Sequence, residues 1–66
     1  MHITLNGKPH EVADGTTLQA LVSRLYPEGG RIAVEVNREI VPRSAHGATP
    51  LQPGDVVEIV HAIGGG

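Results

Sequence analysis

The chain of 66 residues carries seven acidic and five basic side chains, a formal net charge of -2, no Cys, Trp or Phe, and a single Tyr and Met. That length builds one small domain, which buries only about 60% of the surface its unfolded form exposes; it is too small to wall off a roomy catalytic pocket, so an enzyme with its own enclosed active site is not expected. A single lysine, Lys8, and one aromatic ring leave no footprint for nucleic acid, and the short apolar runs and absent basic leader predict no membrane span or signal peptide. A cytoplasmic protein, monomeric when free, is the expectation, with a core built from its 18 Val, Ile and Leu residues.

From the first residue, Met1, Ile3 and Leu5 alternate with His2, Thr4 and Asn6, and a second run reaches Val12 and Ala13 after Asn6-Gly7. This predicts a β-hairpin with Leu5 facing Lys8, Ile3 facing His10 and Met1 facing Val12, and with Pro9 on an edge strand. After the Asp14-Gly15 turn, Thr16 or Thr17 can cap a helix, Thr16 with Gln19 offering a capping box. Leu18, Leu21, Val22 and Leu25 then recur at i, i+3, i+4 and i+7, the apolar stripe of an amphipathic helix. Pro27 and Gly29-Gly30 close it.

Ile32, Val34 and Val36 alternate with Ala33, Glu35 and Asn37 and predict a strand, paired with Glu39 to Val41 across an Asn37-Arg38 turn. Residues 43–50 lack periodicity and read as a surface loop, with Leu51 anchoring it to the core. Pro53-Gly54-Asp55 is a turn before a last strand from Val56 to Val60. Val57 and Ile59 share one face of that strand; Val56, Glu58 and Val60 share the other.

A hairpin, a helix that returns the chain beside the first strand, and further strands make an α+β fold of the β-grasp type. The expected sheet is mixed, with four to five strands and the one main helix on one face. Its expected core is Ile3, Leu5, Leu18, Leu21, Val22, Leu25, Val34, Val36, Val57 and Ile59. The domain spans 1–61 and a flexible tail spans 62–66.

The four histidines, His2, His10, His46 and His61, show no shared ligand face, and scattered surface or half-buried histidines are expected in place of a metal site. The seven carboxylates are equally dispersed. Without Cys no side chain can act as a thiol nucleophile or carry a persulfide. Gly64, Gly65 and Gly66 stand apart. A frayed end is the plain reading, yet at an average glycine usage of ~7% three consecutive closing glycines arise by chance only about 3 times in 10,000. A segment without side chains can thread a narrow channel in another protein, and its carboxylate presents no Cβ to hinder attack. Ile63 to Gly66 span roughly 13 Å when extended. A carboxylate is a poor electrophile; adenylation by ATP makes it a good one, and attack by sulfur on the acyl-adenylate gives a thioester or a thiocarboxylate. The nucleotide, metal and thiol for that chemistry must come from a partner.

The stretches MHITLNG, DGTTLQALV, AVEVNREIVPR and LQPGDVVEIV with the final GGG resemble, from end to end, the ubiquitin-like sulfur carriers, and within them the ThiS-type carriers of thiamine biosynthesis. The resemblance implies a protein co-substrate, not an enzyme, with no bound cofactor. A ubiquitin-activating-enzyme-like adenylyltransferase would use ATP and magnesium to adenylate Gly66, a cysteine desulfurase or other donor would supply sulfur, and thiazole synthase would consume the thiocarboxylate. Gly65 matches the other glycine of the family's terminal pair, and Gly64 falls where other small residues are tolerated. Docking in the family uses the sheet face away from the helix, here Val56, Glu58 and Val60 with Ile63 beside the tail, although strand propensity alone also places valines there. A molybdopterin-type carrier, a ubiquitin-like modifier conjugated through Gly66, and an interaction module with an inert tail are the alternatives.

Overall fold

The computed structural model describes residues 1–61. Residues 62–66, for which a tail is expected, lie outside the described residues. Strands β1 (His2–Leu5) and β2 (Lys8–Glu11) form the first hairpin, with Ile3 opposite His10 and Leu5 opposite Lys8 as the alternation predicts. Asn6 and Gly7 both take positive φ, 49° and 80°, the geometry that lets a two-residue turn follow the right-handed twist of the strands. Val12 lies past β2, but its N–H still bonds the Met1 carbonyl, and its side chain is buried.

Helix α1 (Leu18–Leu25) starts one residue later than a Thr16 cap would require. Thr17 is the cap, its hydroxyl accepting from the Ala20 N–H at 3.1 Å. Thr16 is engaged elsewhere, its hydroxyl donating to the Ala13 carbonyl, and Gln19 reaches forward to Ser23, so no capping box forms. Leu18, Leu21 and Val22 are buried, whereas Leu25 is 38% exposed and leaves the expected core. Eight residues are little more than two turns, and the sheet does not reach under the last of them. Tyr26, the C-cap, packs against the core there instead.

Strand β3 (Ile32–Val36) pairs antiparallel with the two-residue β4 (Glu39–Ile40), and β5 (Val56–His61) closes the fold. The sheet order is β2-β1-β5-β3-β4. The helix therefore does not return the chain beside β1: β5 takes that place, parallel to β1 and antiparallel to β3. In that position Val57 and Ile59 of β5 lie buried against the helix, between Ile3 of β1 and Val34 of β3 in the same core.

Residues expected to form a plain loop contain a 3₁₀ helix, Arg43–Ala48, packed against α1. Its position is set by the Leu18 N–H bonding the Thr49 carbonyl and the Leu51 N–H bonding the Thr16 carbonyl. These bonds satisfy a first-turn donor of α1 and seat Leu51, buried as expected. The core comprises Ile3, Val12, Leu18, Leu21, Val22, Val34, Leu51, Val57 and Ile59. Leu5 and Val36 sit half-buried at its margin, because each neighbours a turn that the helix does not cover.

Candidate functional site

Helix α1 and the 3₁₀ helix cover one face of the sheet and leave the other open. Along β5, Val57 and Ile59 point into the covered side, while Val56, Glu58 and Val60 point out, the two valines 40% and 64% exposed. The candidate docking residues Val56, Glu58 and Val60 are thus together on the open face. Register places Val60 beside Ala33 and Glu58 beside Glu35 on β3, with Val56 beside Thr4 on β1.

One residue of this face is missing from the sequence reading. Ile40, 72% exposed, pairs with Glu35 and so continues the row Glu58, Glu35, Ile40 across three strands. The signal was available: a two-residue turn at Asn37-Arg38 places residue 40 opposite residue 35 and on the same face. The result is an acidic pair flanked by protruding aliphatic side chains. Like charges directly opposite each other weaken a sheet, so Glu35 and Glu58 are not there for the sheet's benefit. A partner offering apolar contact and basic groups complements this surface.

Two asparagines hold β5 in place. Asn6 Oδ1 accepts from the Ile59 N–H at 2.8 Å, and Asn37 Oδ1 accepts from the Val56 N–H at 3.0 Å while its Nδ2 donates to Asp55. Each turn asparagine therefore serves as a clamp on the central strand as well as a turn former. Asn37 and Arg38 line, with Glu35, Val56 and Glu58, a depression of about 330 Å³ on the open face. Arg38 has φ 71° without being glycine, a conformation that costs a side-chain-bearing residue about 1–2 kcal/mol.

The other candidate residues, Ile63, Gly64, Gly65 and Gly66, lie outside the described residues. They follow His61, which pairs with Ile32 at the end of β5. The histidines do not all lie at or near the surface as expected. His46 is only 3% exposed, inside the 3₁₀ helix, with Nε2 3.0 Å from the Val41 carbonyl. It acts as a satisfied core residue, which the apparent loop character of 43–50 concealed. Among the described residues no group of three or more His, Asp or Glu is placed to hold a metal ion, and no helix is long and apolar enough to cross a membrane.

Residues 3–66 match the model of the ThiS family. The chain belongs to this family. It is 37% identical over 65 residues to the sulfur carrier protein ThiS of Bacillus subtilis, an alignment covering 97% of this chain and 98% of that protein. It is also 47% identical over 66 residues to a thiazole synthase of Magnetococcus marinus; all of this chain is covered but 20% of that protein, so the chain spans one fifth of that relative's length. The crystal structure of the thiamine biosynthesis protein ThiS from Geobacter metallireducens superposes with a TM-score of 0.83 at 38% identity, with both chains covered in full. The expected family and the β-grasp fold are both found.

Proposed function

We propose that the chain is a sulfur carrier of thiamine biosynthesis that works as a protein co-substrate in the cytoplasm. The observation that carries this reading is the end-to-end match to proteins of that family, including a sulfur carrier of nearly the same extent. The chain's lack of any cysteine adds a chemical reason, since sulfur can then be carried only on a group other than a thiol.

In this reading the Gly66 carboxylate attacks the α-phosphorus of ATP and pyrophosphate leaves, giving an acyl-adenylate. Hydrosulfide then attacks the carbonyl carbon, AMP leaves with the C–O bond electrons, and the product is a thiocarboxylate; where a desulfurase supplies a persulfide instead, its outer sulfur attacks, AMP leaves, and a thiol reductant cleaves the S–S bond of the resulting acyl disulfide to release the thiocarboxylate. ATP and magnesium belong to the adenylyltransferase, and the sulfur to a desulfurase or other donor; the carrier holds no cofactor. Gly65 and Gly64 let the carboxylate enter a narrow site. The open face with Val56, Glu58 and Val60, together with Ile40, docks the partners. That a thiazole synthase contains a region 47% identical to this chain supports thiazole synthase as the acceptor.

The test is intact mass after incubation with the adenylyltransferase, ATP, magnesium, a desulfurase, cysteine and a thiol reductant. The oxygen-to-sulfur mass increase at the C-terminus is expected; its absence sinks the reading. Deleting Gly65 and Gly66 should abolish the increase and leave the melting temperature unchanged, because the buried core among the described residues lies within 3–59. Adducts on lysines of other proteins that survive reduction would point to a modifier instead.

A further inference from the structure

β5 ends at His61, immediately before the segment that would bear the reactive carboxylate. Two neighbours, Tyr26 and Gly30, meet this exposed residue. Its imidazole packs against the phenol ring of Tyr26, with centroids 5.5 Å apart and planes tilted by 44°, inside the range of favourable aromatic pairs. A Cβ on residue 30 would come within 3.3 Å of His61 Nε2, a tight contact that the glycine avoids, and Gly30 itself has φ +108°. The Gly30 carbonyl in turn accepts from Arg43 Nη2 at 2.6 Å. Tyr26 is fixed as the C-cap of α1, its N–H bonded to the Val22 carbonyl. The last residue of β5 is therefore gripped by the end of the helix and by a connection tied to the 3₁₀ helix, yet it adds nothing to the core.

We propose that Tyr26 and His61 are positioning residues that fix the end of β5, the point to which residues 62–66 are attached. The inference rests on the carrier reading above. Five residues reach at most roughly 17 Å, and a root free to turn would spread the carboxylate over a wide arc. A partner that accepts one direction of approach then meets a smaller competent fraction, and its apparent affinity falls by that fraction. Loss of one aromatic pair corresponds to about a two- to tenfold change.

The experiment compares His61→Ala, His61→Phe, Tyr26→Leu and the His61→Ala/Tyr26→Leu double variant in the full chain. Readouts are the heteronuclear NOE at Val60 and His61 and steady-state ATP–pyrophosphate exchange with the adenylyltransferase. His61→Ala is expected to lower the NOE at both residues and to raise KM for the carrier about two- to tenfold with kcat essentially unchanged. His61→Phe restores both. The double variant is no worse than His61→Ala alone, as two halves of one contact require. An unchanged KM in His61→Ala, or a His61→Phe variant as impaired as His61→Ala, overturns the positioning role. Absence of exchange with the unaltered chain refutes the carrier reading instead; the NOE then decides the inference alone, an unchanged value in His61→Ala overturning it and a lowered one supporting it.

Discussion

Val57 and Val60 are the same residue type on the same strand, yet one is fully buried and the other 64% exposed. The difference is the layer laid over each face. Leu18, Leu21 and Val22 of α1 join Val57 in one core; among the described residues nothing is laid over Val60, Glu58 and Val56. A small protein gains stability from every aliphatic side chain it covers, so aliphatics left in water beside an opposed pair of glutamates mark a face shaped by something other than folding. The covered face carries stability, and the open face is the one proposed above for docking.

The strongest way to break that contrast is Leu18→Ala. Truncating a fully buried leucine costs about 2–5 kcal/mol in a domain whose core supplies rarely more than ~3–5 kcal/mol, so circular dichroism should show a chain largely unfolded at 25 °C. Next comes Asn6→Ala, which leaves the Ile59 N–H without its acceptor and should cost about 1–3 kcal/mol in a urea titration. Asn6→Gly keeps the positive φ and should recover only the turn's share of that loss. If both variants melt like the parent, the clamp on β5 is not a stabilising contact.

On the open face the pattern should reverse. Ile40→Lys with Val60→Lys, which sets an opposite charge across from Glu35, is expected to shift stability by no more than ~0.5 kcal/mol per site, as surface changes do, while weakening binding to the adenylyltransferase or thiazole synthase by about tenfold or more, read by calorimetric titration. A double variant that binds normally would remove the face from the proposed docking surface. The smallest effect belongs to Arg38→Gly. Relief of its left-handed backbone should raise stability by about 0.5 kcal/mol, the strain relief being partly offset by glycine's greater freedom in the unfolded chain, and a thermal melt should show a slight rise.

Much of this was legible in the sequence because it depends on local rules. Asn6-Gly7 forces a hairpin through backbone sterics, the spacing of Leu18, Leu21 and Val22 forces one buried helix face, and alternation in β5 separates Val57 and Ile59 from Val56, Glu58 and Val60. The resemblance of VNREIVPR and LQPGDVVEIV to the sulfur carriers led to the family. Less legible were His46, whose burial depends on a 3₁₀ helix in a stretch without periodicity, and Leu25, whose exposure depends on where the sheet stops. Ile40 needed the turn register to be followed across a third strand.

The sequence by itself determined the strands and the main helix, which side of each is apolar, and the absence of any thiol, because periodicity and residue chemistry are properties of the chain alone. Only the tertiary structure decided that β5 lies between β1 and β3, that two turn asparagines reach over to clamp it, and that Tyr26 meets His61 at its end. Those contacts join residues 19 to 53 positions apart, and no local preference can specify them. They form because burying Val57 and Ile59 against the core while β5 pairs with both β1 and β3 brings those neighbours, and the turns attached to them, within hydrogen-bonding reach.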